Sequence, residues 1–186
     1  MWSPELKAKL EVKPGAENIV LLFNQTFLAS HHTQLVGGAD EPLYEIDKQG
    51  LARIHFCHDY ISSALHEIAH WCIAGAYRRT LNDYGYWYEG TRDICQQQKF
   101  EKVEVQPQAL EWIFSEALGI PFRVSVDNLE LTDHDSTAFR LAVSQAAQDR
   151  IWRGLRGRAK RFARALQCKA EGHAYDKLGL YQRLPN

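Results

Sequence analysis

No apolar run in this chain approaches the roughly 20 residues that a membrane-spanning helix needs, so a helical membrane protein is not expected. A secretory leader is not expected either. The start of the chain carries Glu5, Lys7, Lys9, Glu11 and Lys13, with no apolar stretch between them. Cysteine is sparse and scattered: Cys57, Cys72, Cys95 and Cys168 are far apart and make no CxxC pair. That argues against a cysteine-only metal site and against a disulfide framework, and suits reduced, buried thiols in a cytoplasmic protein. An excess of either charge is lacking as well. With 22 Lys and Arg against 23 Asp and Glu, the formal net charge is −1, so bulk charge points to neither nucleic acid nor a membrane surface. No internal repeat, low-complexity tract or interdomain linker interrupts the chain.

What is present is an ordinary globular balance, 45% apolar and 24% charged over 186 residues. That length supports one substantial core and is short for two, so residues 1–186 are expected to form a single domain. Residues 16–30 have Ile19, Leu22, Phe23 and Phe27 at helical spacing, with His31 and His32 as solvated residues at the helix end. Residues 35–43, with Gly-Gly and Glu-Pro, read as a loop. Residues 50–57 alternate, Ala52, Ile54 and Phe56 against Arg53, His55 and Cys57, which is a strand pattern. Residues 60–76 follow as a helix ending near Gly75. An aromatic, glycine-containing connection at 80–90 leads to a short helix at 92–102 and a longer one at 104–118, whose apolar face is Leu110, Ile113, Phe114 and Leu118. Pro107 fits only a first helical turn, so the spacing predicts that this helix starts close to Glu104. Residues 136–168 read as a long helix, broken at Gly154 or Gly157, with Trp152, Leu155, Ala159, Phe162 and Leu166 as its buried stripe. The expected fold class is α+β, mainly helical, with a small strand element.

The most informative residues are His66-Glu67-Ile68-Ala69-His70. Two histidines at i and i+4 lie one turn apart on one helix face, so two imidazole nitrogens can reach one metal ion. The five residues fall inside a segment that reads as a helix on other grounds. Two histidines leave a metal under-coordinated, and a third protein ligand is needed. Glu104, Gln108 and Glu111 share one face of the next long helix. In metalloproteins where an HExxH helix is followed by a glutamate ligand on the next helix, that glutamate sits in the early turns, ahead of the apolar stripe. Glu104 suits that place, with Glu111 and Glu101 as the other candidates and Gln108 as a hydrogen-bonding neighbour one turn from Glu104. Such a zincin-like pair of helices would make the chain one metal-binding catalytic domain.

Two chemistries fit this donor set. With zinc it is a hydrolase site, in which the metal acidifies a bound water and Glu67 takes its proton, as in a metallopeptidase. With iron it is the two-histidine, one-carboxylate triad of non-haem Fe(II) oxygenases, open to O2 and substrate. The residue types do not separate the two.

The run HEIAHWCIAGAYRR, the loop DYGYWYEG and the stretch EKVEVQPQALEWIFSEALGIPF resemble, in that order, the bacterial elongation factor P hydroxylases. The resemblance spans most of the chain and is far more specific than HExxH alone. It implies hydroxylation of the β-lysyl-modified lysine of elongation factor P, the last step in the modification of that translation factor. It implies a divalent metal, Fe(II) in the first instance, with O2 as co-substrate, held by His66, His70 and an acidic residue that Glu104 matches, with Glu67 as the catalytic carboxylate. No 2-oxoglutarate-binding pattern is readable.

Two further features bear on substrate. Tyr84, Tyr86, Trp87 and Tyr88 lie between the two metal-bearing helices and could wall a groove for a long cationic side chain, with Gln108 as a further substrate-binding residue and Glu89 or Asp93 pairing with the amine. Equally, they could be a packed aromatic cluster. From Arg150 to Lys169 there are eight Lys or Arg and no acid, a basic surface suited to docking the acidic translation factor that the resemblance implies, with no direct nucleic-acid binding expected. His55, His58, His134 and His173 are expected to be structural or surface residues. A catalytically inert adaptor, using the basic helix to hold a translation factor, is the third reading beside hydroxylase and peptidase.

Overall fold

A computed structural model describes residues 15–85, 94–126, 135–170 and 174–186. Among them are five α-helices and one three-stranded sheet: α1 (Ala16–His31), β1 (Thr33–Ala39), β2 (Leu43–Ile46), β3 (Ala52–Cys57), α2 (Ile61–Ile73), α3 (Ile94–Leu118), α4 (Thr137–Arg153) and α5 (Gly157–Lys169). The mainly helical α+β expectation holds. No helix among the described residues is long and apolar enough to cross a membrane.

The sheet order is β1-β3-β2, with β1 parallel and β2 antiparallel to β3. The alternation read from the sequence places Ala52, Ile54 and Phe56 in the core. β3 leads through a tight turn at His58 and Asp59, both in the left-handed region, into α2. α1 lies against β1, and α3 packs against α2, α4 and α5. Phe23, Phe27, Trp71, Phe114 and Phe162 join in the middle of one continuous core, the rings of Phe27 and Trp71 meeting edge to face at 4.8 Å.

Three expectations are corrected. Residues 35–39 belong to a strand rather than a loop. The Gly-Gly pair serves a strand irregularity, the β1–β3 register shifting between Val36 and Ala39. A side chain at Gly37 would run into the Asp59 carboxylate and the Phe56 ring, and Gly38 has φ +79°. Second, residues 92–102 and 104–118 are not two helices. α3 runs without a break through Pro107, so Glu104 lies well inside a helix rather than at its start. An interior proline costs about 3 kcal/mol through its lost hydrogen bond and its clash with the preceding turn. Val103, whose carbonyl that bond would use, is an exposed residue, while Ala109, Leu110, Trp112, Ile113, Phe114 and Ala117 are buried and hold the helix together from outside. Third, Trp152 is not on a buried stripe: it is 82% exposed. The chain breaks between α4 and α5 at Gly154 and Gly157, both with positive φ. That break changes the helical phase, so the buried face of α5 (Ala159, Phe162, Ala163, Leu166) does not continue back to Trp152.

One cation of the basic segment has a structural task that the sequence did not reveal. Arg158 donates from Nη2 to the carbonyls of Trp71, Cys72 and Ala74 at 3.1, 3.1 and 2.8 Å, satisfying the C-terminal carbonyls of α2. Its guanidinium stacks on the Trp71 ring at 4.8 Å. Arg79 donates to the same Ala74 carbonyl at 2.6 Å. Hydrogen bonds from a charged donor contribute roughly 1.5–3 kcal/mol, so Arg158→Met should lower the unfolding free energy by about 2 kcal/mol in urea denaturation. Arg158→Lys should recover only part of it, because an ammonium cannot both fork and stack.

Candidate metal centre

The i, i+4 spacing on α2 turns His66 and His70 to the same side, their rings 4.7 Å apart between centroids. Opposite them α3 presents Glu104, 4% exposed. The Nε2 atoms of the two histidines are 3.0 Å apart. His66 Nε2 is 3.3 Å from Glu104 Oε2, and His70 Nε2 is 3.4 Å from Glu104 Oε1. Both imidazoles keep about a quarter of their surface open, 24% and 28%, so the triangle is reachable from outside.

The triangle fits a divalent cation on three counts. Metal bonds of about 2.0–2.2 Å spread neighbouring donor atoms roughly 3 Å apart, close to the separation of the two Nε2 atoms and of each from its nearer Glu104 oxygen. The donors, two imidazole nitrogens and a carboxylate, are borderline to hard, as zinc or ferrous iron prefers. Glu104 Oε2 is fully buried and has no well-aligned hydrogen bond, though His66 Nε2 lies near it. A buried carboxylate oxygen without a partner is costly, and a cation between it and the imidazoles would satisfy it. Among the described residues His66, His70 and Glu104 form such a group.

Glu111, foreseen only as a substitute ligand, takes a different place. Its Oε2 accepts a hydrogen bond from His66 Nδ1 at 2.9 Å. That holds the His66 proton on Nδ1 and turns the Nε2 lone pair toward Glu104 and His70, the usual arrangement behind a metal-binding histidine. The spacing of Glu104 and Glu111 put them on one face. Only the packing of α3 on α2 shows that they approach the two different nitrogens of His66. Glu101, the other substitute, lies outside the group and accepts a hydrogen bond from Gln97 at 3.2 Å. Gln108 does not bond to Glu104. Its amide holds the backbone of Ser125, donating at 2.7 Å and accepting at 3.1 Å, which ties the chain after α3 back onto the helix.

Glu67 follows His66 on α2 and makes no hydrogen bond with any described residue. Burial lifts its carboxyl above the usual range, against the opposing pull of His70 and His66. Of the two readings of the aromatic loop, substrate wall and packed cluster, Tyr84 takes the packed one: it is 7% exposed and stacks on Tyr44, ring centroids 4.2 Å apart. Burial, and after it the Glu67 carboxylate, holds its phenol well above the usual tyrosine range. Its hydroxyl is buried without a hydrogen-bond partner among the described residues. Tyr86, Trp87, Tyr88, Glu89, Asp93, His134 and His173 lie outside the described residues. His31 and His32 are exposed, His55 pairs with Glu45 at 3.2 Å, and His58 stands against Tyr60; none joins the triangle.

Burial pulls the His66 imidazole down, but the Glu104 and Glu111 carboxylates beside it outweigh burial, and its pKa stands well above the usual value. Burial pushes Glu104 up, and the neighbouring His66 and His70 imidazoles outweigh that, holding it far below the carboxylate range. Glu104 therefore remains anionic at all ordinary pH, and the proton that competes with a metal sits on His66. Chelator-stripped protein should take up one divalent ion per chain and release a proton on doing so at pH 7. The sign follows from the raised pKa: affinity falls as pH drops, and the fall begins above pH 6.5. Metal analysis and a pH-indicator titration measure both. His70→Ala and Glu104→Ala should abolish stoichiometric binding. Glu111→Gln should weaken it by about 10–100-fold, as expected when the partner of a liganding histidine is altered.

Comparison with known proteins gives this geometry its context. Over 153 residues the chain is 45% identical to an elongation factor P lysine hydroxylase of Haemophilus influenzae, covering 81% of this chain and 86% of the relative. Residues 22–177, which contain α2, α3 and all three triangle residues, match the elongation factor P hydroxylase family throughout. On the extent of that match, the chain belongs to the elongation factor P hydroxylase family.

Proposed function

We propose that this chain hydroxylates the β-lysyl-modified lysine side chain of elongation factor P in the cytoplasm, with ferrous iron held by His66, His70 and Glu104. The observation that carries the reading is the donor triangle, 3.0–3.4 Å on its edges, in a member of this family. One oxygen atom of O2 enters a C–H bond of the substrate and the other leaves as water, which draws two electrons and two protons from an external reductant. When bound, the iron supplies the O2 chemistry, three protein ligands leaving positions open for O2 and substrate.

The residues of this chain do the rest. Glu104 supplies the anionic charge. Glu111 sets the His66 tautomer and orients its ring. Glu67, its carboxyl lifted above the usual range by burial, stands next to His66 on the same helix as the group to transfer a proton. An HExxH helix followed by a glutamate helix, as in zincin-like metalloproteins, is the scaffold of the proposal.

The sheet edges favour hydroxylation over peptidase chemistry. A peptidase site gains from an open strand to which an extended peptide can add. Here Asp83 and Asn82 accept hydrogen bonds from the outward N–H groups of Tyr44 and Ile46 on β2. Asn24 bonds in both directions with Leu35 on β1. Both edges are thus engaged by side chains.

The test is to incubate the protein with Fe(II), air, a reductant and β-lysylated elongation factor P, and to weigh the modified peptide. A gain of one oxygen, absent with His70→Ala, is expected. Glu67→Gln should keep its iron and slow the reaction, by up to about 10²–10⁴-fold if Glu67 transfers a proton. No oxygen gain, with zinc bound and casein cleaved instead, would overturn the reading.

A further inference from the structure

We propose that the surface made by the end of α4, the 154–156 turn and the first turns of α5 docks an acidic face of the folded protein substrate. The proposal rests on the hydroxylase reading for the identity of that substrate, and on the surface itself for its chemistry.

The cations here are uncompensated. Arg153, Arg156 and Lys160 are exposed, and none forms an ion pair with a carboxylate among the described residues. The 20 residues from Arg150 to Lys169 hold eight Lys or Arg and no acid, while the rest of the chain holds 14 Lys or Arg against 23 Asp or Glu. Other cations of the segment have internal tasks: Arg158 caps α2, and Arg161 stacks on Phe27 at 5.3 Å and donates to Ser30 Oγ at 3.0 Å. Arg153, Arg156 and Lys160 have no comparable contact. Helix stability does not favour them either. Arg156 and Lys160 flank the first turn of α5, which has no acidic residue, so they face the positive end of the helix dipole.

Trp152 stands beside these cations, 82% exposed. A tryptophan among arginines is the composition of an interface hot spot, in which a large ring is desolvated at the centre and charges select the partner around it. The occupant is therefore an acidic protein surface with an apolar spot for one ring. The net charge of −1 favours a protein over RNA. The position suits a substrate: through Arg158 the same segment is bonded to the C-terminal carbonyls of α2, beginning at Trp71, the residue after His70. A partner seated here lies at the end of the helix that carries the triangle.

The experiment compares wild type with Arg153→Glu/Arg156→Glu/Lys160→Glu, and separately Trp152→Ala, all in the full chain. Binding of intact β-lysylated elongation factor P is measured by calorimetry at two salt concentrations. Turnover is measured on the intact protein and on a short peptide carrying the same modified lysine. The triple variant should raise the dissociation constant and KM for the intact protein by about tenfold or more, flatten the salt dependence, and leave kcat, thermal unfolding and peptide turnover unchanged. Trp152→Ala should weaken intact-protein binding without changing its salt dependence. Unchanged binding of the intact protein in both variants overturns the proposal, as does loss of transfer-RNA binding with protein binding intact, which would make the surface an RNA site. If wild type turns over neither substrate, the hydroxylase reading fails, while the binding comparison still decides the docking surface.

Discussion

The meeting of α2 with α3 across His66 is the contact on which the centre depends. Glu104 and Glu111 are both buried, and two buried carboxylates on one helix face would be strongly unfavourable unless each had a partner. His66 answers both, with Nε2 toward Glu104 and Nδ1 toward Glu111. His70 closes the third side. One imidazole thereby sets the distance and rotation of α3 against α2.

This polar contact survives inside an apolar core because α3 carries a continuous polar seam. Gln97, Glu104, Gln108, Glu111 and Ser115 are all buried, spaced by whole turns of the helix. Gln97 donates to the Val126 carbonyl, and Gln108 bonds in both directions with Ser125. The chain that leaves α3 thus folds back along the seam and supplies the backbone partners that the side chains need. The apolar sides of the same helix, around Trp112, Ile113 and Phe114, hold it against α2, α4 and α5. The cost of Pro107 in its interior is absorbed by that packing.

The other end of α2 is fixed by charge too, with the opposite sign. Arg158 and Arg79 converge on the Ala74 carbonyl, and Arg158 also reaches those of Trp71 and Cys72. The histidine-bearing helix is therefore held on its open face by carboxylates and at its C-terminus by guanidinium groups. Cys72 lies between these regions, its thiol pushed up to about 12 by burial, so it is packing material rather than a nucleophile.

The amino-acid sequence by itself determined the elements whose signal is local. The stripes of α1 and α2, the alternation of β3, the HExxH face and the short list of carboxylates able to complete it all follow from periods of 3.6 and 2. The tertiary structure decided whatever depends on which surface meets which. Glu101, Glu104 and Glu111 are similar in sequence, and only the seating of α3 on α2 brings Glu104 to both imidazoles and Glu111 to the far nitrogen of His66. Pro107 reads locally as a helix start, but the burial of the residues after it carries α3 through. Gly37-Gly38 reads as a loop, but the closeness of Phe56 and Asp59 makes it a strand with a bulge. Trp152 reads as core, but the break at Gly154 turns it outward. At Pro107 the local preference amounts to about 3 kcal/mol, and the burial of the residues after it outweighs that.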